Sequence, residues 1–514
     1  MTQSTIEIVG RYDSRIGVKV LAIGAGSFLT SLVKALFESG LSDSHVTSMD
    51  TELIEWTTSQ NTVSAWRARV QPFDWILYFG QQMKVEQIQA IQEASIAEKK
   101  SLLIAACIGQ TGFVGPLVNS DSLGSWDSAR RRLHRAAIRI DPMASRVSLA
   151  ATAMLANVIV FDMYRTITTT SESESKNRFF LLDLRTLEGS YHSFLPHPLI
   201  TNEVTIERVR NWEQRLGSDR VSSMDDNEFL SFTSRLTSPH SGIFHLWEEG
   251  DLSQLPLSQC RIQPVDPLSE GLAEMLPVIT SAGLTHMEAR NEAGLAGIEA
   301  YVTRLSRLSF SRFLTDQQSE SIDIGAGATF EEAVCRGLQK CLTQLWRKQG
   351  AKRISPKVGI PLSHVEDPRS LYYLRALETL HGVPKIRLGE DVHGFPVVWI
   401  GMGESWYSCV GLNRTLALRT ALQQALLSIQ NQMEPALQRG DEMPTPDSEI
   451  AMASDLRIKD VDDTTNAELI QRAISVLKRN QKQLIVFDIK AEFFLNEHLG
   501  GLLGFMLGEE EVSG

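Results

Sequence analysis

Three groups of residues in this chain have the types and spacing to do chemistry. The first is Gly24-Ala25-Gly26, which closes the apolar run Val18–Ile23 and precedes Asp50 at the end of the next such run, His45–Met49. Glycines after a strand let the backbone approach a phosphate, and an acid after the following strand can accept from ribose hydroxyls. Leu29 stands where that fingerprint has its third glycine, so the residues also read as a bare strand-to-helix turn. The second group is the basic run Arg130, Arg131, Arg132, His134 and Arg135. It could clamp an anion or an acidic peptide, or form a solvated helix face whose stems lie on apolar surface. The third pairs Thr285 with Glu288 and Thr329 with Glu332. A threonine with glutamate three residues on is a capping box, which satisfies free amides at a helix start.

The elements that must position these groups follow from periodicity. Val18–Ile23, His45–Met49, Trp75–Phe79, Leu102–Ile108 and Phe179–Leu184 read as strands. Phe28–Phe37 and Ser148–Met163 read as helices, and the Thr/Ser-rich stretch 166–176 as a surface loop. Further on, one pattern occurs three times: Gly283, Thr285, Ala289, Ala293; then Gly327, Thr329, Ala333, Gly337; then Gly411, Asn413, Ala417, Ala421. Small residues four apart share one helix face and let it sit close on a sheet, so packing alone explains this half of the pattern. Ala467–Leu477 reads as a helix and Gln483–Ile489 as a strand, followed by Phe493–Glu497 and a glycine-rich apolar run to Leu507.

Composition narrows the function classes. The formal net charge of −12 over 514 residues argues against a general nucleic-acid binder and against adsorption to anionic membranes. No apolar run reaches membrane-spanning length, and the start of the chain has no apolar signal segment. The five cysteines form no CxxC pair, which predicts neither a disulfide framework nor a zinc tetrad and makes the cytoplasm the default. His192 and His197 have no partner at zinc spacing.

The GxGxxx turn, FDWILYF at 73–79, GPLVNSDSLGSWDSARRRLHR at 115–135 and FFLLDLRTLEGSYHSFLPHP at 179–198 together resemble the ThiF-like proteins of thiazole/oxazole-modified peptide clusters. More closely, they resemble the thiazole-containing bacteriocin maturation proteins. Active ThiF-type domains adenylate a carboxylate. Here Tyr78-Phe79-Gly80 stands where they carry an acid, and Ser125 where relatives carry a cysteine.

The threefold repeat resembles the YcaO family of ATP-dependent cyclodehydratases, whose helices carry Glu-x-x-Glu for magnesium and ATP. The matching positions here are Ala296 and Glu299, Lys340 and Thr343, and Gln424 and Leu427. Ala300 and Gln344 stand where an arginine usually follows. Only Glu299, with Glu332 as a capping acid, fits the acidic pattern. Lys340 puts a positive charge where Mg²⁺ would sit.

The resemblance implies an α/β chain with a Rossmann-like ThiF-type domain over 1–200, a connector over 201–260, and a YcaO-like α+β domain with internal repeats over 261–514. It leaves Gly24, Gly26, Asp50, Glu299 and Glu332 as a vestigial nucleotide set, with no catalytic residue and no metal ligand. Arg130, Arg131, Arg132 and Arg135 are the candidates for peptide or anion binding. A first strand near residue 18 leaves no room for the winged-helix leader-recognition module with which relatives begin. The function implied is a non-catalytic, cytoplasmic maturation factor that binds the precursor peptide, a separate YcaO cyclodehydratase, or both. A homodimer is compatible with it. The alternative is an active cyclodehydratase, which would require ATP and Mg²⁺.

Overall fold

A computed structural model of the chain describes residues 17–51, 62–81, 85–120, 122, 124–139, 147–168, 177–201, 204–217, 224–310, 322–349, 358–432, 451–452, 457–462 and 464–509. Most of the loop expected over 166–176 lies outside them. The chain divides into two compact units: Met1–Asn202 with Ser238–His245 and Ser269–Met275, and Glu203–Thr237 with Leu246–Leu268 and Leu276–Gly514.

The first unit is built on a seven-stranded sheet. Its order is Val46–Asp50, Val20–Gly24, Trp75–Gly80, Ser101–Ile108, Thr111–Val114, Arg178–Asp183 and Gly189–Ser193. The first four strands are parallel and the last three join antiparallel. Val20–Gly24 and Trp75–Gly80 are buried along their whole length, as expected of parallel strands covered on both faces. Helices Gly26–Glu38 and Leu149–Thr168 bury Phe28, Leu32, Leu155 and Ile159 against one face. Helices Val63–Val70, Val85–Ala97 and Trp126–Arg132 place Trp66, Ile88, Ile91 and Trp126 against the other.

The second unit holds two larger sheets. A four-stranded sheet runs Asp323–Gly327, Gly501–Glu509, Lys482–Lys490 and Thr205–Val209, all antiparallel. A five-stranded sheet runs Ser405–Val410, Val397–Met402, Lys385–Leu388, Val358–Ile360 and Ala451–Met452. Ser258–Pro264 and Ile279–Gly283 pair antiparallel beside them. The expected α/β architecture therefore holds, with mixed parallel and antiparallel sheets.

The stretch 201–260 does more than connect. Thr205–Val209 completes the four-stranded sheet, and helix Asp226–Leu236, opened by an Asp225–Glu228 capping box, packs on helix His286–Phe310. Its apolar residues Phe229, Phe232 and Leu236 fall on one helical face and are buried there, a spacing masked in the sequence by the surrounding Ser, Asn and Asp.

Candidate functional site

The three repeat copies are structural equivalents. Each strand ends at or just before its glycine, and a Cβ on that glycine would strike the amide nitrogen six residues on. The distances are 2.7 Å from Gly283 to Ala289, 2.6 Å from Gly327 to Ala333, and 2.4 Å from Gly411 to Ala417. The Ala amides in turn donate to the carbonyls of Thr285, Thr329 and Asn413 at 3.0, 3.2 and 3.0 Å. Glycine is needed because the backbone of the helix start occupies the volume a side chain would take. Gly337 serves the same end on the next turn, where a Cβ would lie 1.9 Å from the Phe505 ring.

The caps close as expected. Thr285 Oγ1 accepts from the Glu288 amide at 3.1 Å while Glu288 accepts from the Leu284 amide at 3.0 Å. Thr329 Oγ1 accepts from the Glu332 amide at 3.1 Å, and Glu332 accepts from the Ala328 amide at 2.8 Å. Asn413 caps helix Arg414–Gln430 through the Leu416 amide at 2.8 Å. Burial pushes the Glu332 carboxyl upward, against Arg336 and the Ala328 amide, which pull it down.

Residues of all three repeat helices line one cavity of about 630 Å³. Glu288, Asn291 and Glu292 come from His286–Phe310, Glu332 from Phe330–Gln349, and Arg419, Gln423 and Gln424 from Arg414–Gln430. Leu427 also lines it, so the third copy offers an amide and an alkyl group where a metal site would present two acids.

Glu299 is 1% exposed, and its carboxylate is saturated by this chain's own donors. Oε1 accepts from Arg336 Nε at 2.8 Å and from the Ala326 amide at 3.1 Å. Oε2 accepts from Arg336 Nη2 at 3.1 Å and pairs with Lys340 Nζ at 2.7 Å. Arg336 also holds Glu292 at 2.7 Å, and Lys340 donates to the Ile324 carbonyl at 2.9 Å. Burial alone would raise the Glu299 pKa, but Arg336 and Lys340 outweigh it and hold the group at about 2. Gln344 donates to Asp323 at 2.7 Å. Burial lifts the Asp323 carboxyl to about 6 against the pull of Cys341 and Lys340. This donor set does not fit Mg²⁺ at Glu299, because a hard cation needs free oxygen ligands and two fixed cations already take them.

A second ionic hub surrounds Arg419. It pairs with both oxygens of the fully buried Asp367, with Asp462 at 2.8 Å and with Asp460 at 3.5 Å. Asp367 also caps helix Pro368–His381 through the Ser370 amide at 2.8 Å. Burial would raise its carboxyl, and Arg419 with Ser370 brings it below the usual range.

In the first unit, Gly24 and Asp50 sit side by side in strand register. A Cβ on Gly24 would fall 2.6 Å from the Phe79 carbonyl, and Gly26 opens its helix at φ 53°. Close strand packing and a left-handed turn therefore account for both glycines.

Arg130, Arg131 and Arg132 of the basic run are turned toward backbone carbonyls, while Arg135 stays exposed. Arg130 and Arg131 donate to the carbonyls of Glu270 and Ser269 at 3.1 and 2.6 Å. Arg132 is buried and donates to Leu195 and Pro196 at 3.0 and 2.8 Å, while Arg135 pairs with Glu274 at 3.3 Å. Carbonyls presented by sequence-distant loops, invisible to composition, take up these charges. His197 is buried behind Arg132, and burial together with Arg132 and Arg131 pushes its pKa down to about 2.

Arg336, Asp367 and Arg419 escaped the sequence reading. Arg336 was open to it, since it lies four residues before Lys340 on the same helix face. Asp367 and Arg419 gave no local signal.

No protein-family model matches this chain, and no curated protein matches it. Among solved structures the chain is similar to a heterocyclase in complex with substrate and cofactor. That match has 12% identity and TM-score 0.58, and covers 95% of this chain and 80% of the other. It is also similar to the heterocyclase TruD, at 15% identity and TM-score 0.51, over 96% of this chain and 79% of that one. At these identities the likeness speaks for the fold, which extends over nearly the whole chain. Among the described residues no helix is long and apolar enough to cross a membrane.

Proposed function

We propose that this chain is a non-catalytic maturation factor for an azole-modified ribosomal peptide, acting beside a separate YcaO-type cyclodehydratase. The observation that carries the reading is the saturated Glu299 carboxylate. In the YcaO resemblance this is the one acid left of the metal-binding pattern, and two internal cations neutralise it. The heterocyclase fold supports a setting in azoline formation, since a fold can outlive its chemistry and still present docking surfaces. On this reading Gly24, Gly26, Asp50 and Glu332 persist for packing and capping. The N-terminal unit is a ThiF-like domain retained without adenylation.

The test combines the chain with the precursor peptide and the cyclodehydratase encoded beside it. Azoline formation, read as loss of water in the peptide mass, should require both proteins. Unchanged azoline yield when this chain is left out would remove the maturation role.

One observation favours a second reading, an active cyclodehydratase. The cavity between the repeat helices persists, and Glu288, Glu292 and Glu332 line it with Arg369 and Arg419. Peptide-dependent release of ADP by this chain alone would establish that reading.

A further inference from the structure

The four-stranded sheet of the second unit has an unfilled place on its edge. Thr205–Val209 pairs with Lys490–Val486, and the register stops at Val209 opposite Val486. Lys482–Ile485 continue the inner strand beyond that point and pair with Glu509–Met506 on one side. Among the described residues no strand covers their other side. The reason is local. Asn211 adopts φ 57°, a left-handed conformation that asparagine tolerates, and turns the chain into the short helix Trp212–Arg215. The edge strand therefore ends four residues short of its neighbour.

A cavity of about 570 Å³ occupies the gap. Its apolar lining includes Ile474, Leu477 and Trp212, the last two buried. Around it stand Arg208, Arg210, Lys478 and Lys482. Among the described residues two carboxylates pair with these four cations, Glu213 with Lys478 at 3.6 Å and Glu509 with Lys482. A surplus of positive charge thus gathers on a chain whose net charge is −12.

We propose that this notch is a docking site for an extended acidic peptide segment, which adds to the sheet along Lys482–Ile485 in line with Thr205–Val209. Strand addition supplies main-chain hydrogen bonds, and the pockets for alternate side chains supply selectivity. About four residues fit, since an extended chain rises roughly 3.3 Å per residue. Side chains directed at Leu477 and Trp212 are apolar, and those directed at Arg208 and Arg210 are acidic. The inference does not depend on the proposed function, because it rests on the sheet edge and its charge alone.

The test uses the full chain and a fluorescein-labelled eight-residue peptide of alternating Glu and Val, blocked at both ends. Anisotropy should rise on binding, and amide exchange should slow at every second residue of Lys482–Ile485, those whose N–H faces the open edge. A peptide of equal charge with two valines replaced by proline should bind at least about tenfold more weakly, because proline cannot donate to the ladder. Arg208→Glu with Arg210→Glu, both exposed positions, should weaken the parent peptide by a similar factor, with the circular dichroism of the wild type retained. Absence of binding would overturn the proposal. So would equal affinity for the proline peptide, unchanged affinity in the charge-reversed variant, or displacement by inorganic triphosphate as effective as by unlabelled peptide, which would mark a simple anion site.

Discussion

The two ionic hubs of the second unit are built on opposite principles. At Glu299 one carboxylate holds two cations, and a backbone amide completes its shell. At Arg419 one guanidinium holds three carboxylates, of which Asp367 is buried while Asp460 and Asp462 are half-exposed. The first hub joins helix His286–Phe310, strand Asp323–Gly327 and helix Phe330–Gln349. The second ties a helix cap to the loop at 460–462. The first hub is internally balanced, Arg336 and Lys340 against Glu292 and Glu299, whereas the second sets three acids against one base.

The comparison can be broken most forcefully at its acidic centre. Glu299→Ala leaves Arg336 with one buried partner fewer, and breaking such a pair costs about 3–5 kcal/mol. Urea denaturation should show that loss; a stabilised variant would mark Glu299 as a strained functional acid. Arg419→Ala strands Asp367, but the two outer acids return to water. The expected cost is nearer about 3 kcal/mol, at the lower end of the range for a broken buried pair.

Acid should separate the two units. His134 is buried in the first, with Nε2 on the Gly242 carbonyl at 2.7 Å and Nδ1 on His245 Nδ1 at 3.1 Å. Because Nε2 donates to the carbonyl, the neutral His134 ring accepts at Nδ1 from His245, and a proton added to His134 Nδ1 would displace that donor. Burial lowers the His134 pKa from 6.5 to about 4, against the pull of the Gly242 carbonyl and with His245 and His240 adding to the fall; His192, beside His240, is lowered to about 4 in the same way. A lowered histidine pKa means the unfolded chain binds more protons, so stability is held above pH 6.5 and lost as pH falls toward 4. Glu299 is a depressed carboxyl, so its contribution is held above its ordinary 4.5 and lost as pH falls toward 2. A pH series of thermal melts should therefore show the first unit weakening first. A single acid transition confined below pH 4 would contradict it.

The smallest effect belongs to Lys340, whose side chain is 38% exposed. Lys340→Gln should cost no more than about 1 kcal/mol, as for a partly solvated pair. A larger loss would mean that the lysine, and not Arg336, carries the neutralisation.

What could be read from the sequence follows from how local each cause is. The glycine, the capping threonine or asparagine and the small face of each repeat act within ten residues, so their spacing exposed them. The strand at Thr205–Val209 did not show, because its pairing partner Lys482–Lys490 lies far along the chain. Nor did the fate of Arg130, Arg131 and Arg132, whose partners are carbonyls with no sequence signature. Glu299 was visible as the last acid of a pattern, and Lys340 as a misplaced charge. That the two form an ion pair required the fold to bring their helices together.

On the proposed function, the repeat core holds its own cations in place of metal and nucleotide. Isothermal calorimetry of Mg·ATP with the purified chain, run with precursor peptide present and paired with an assay for ADP, tests it most directly. No heat of binding and no turnover are expected. Peptide-dependent ADP release that disappears in a folded Glu299→Gln variant would contradict it.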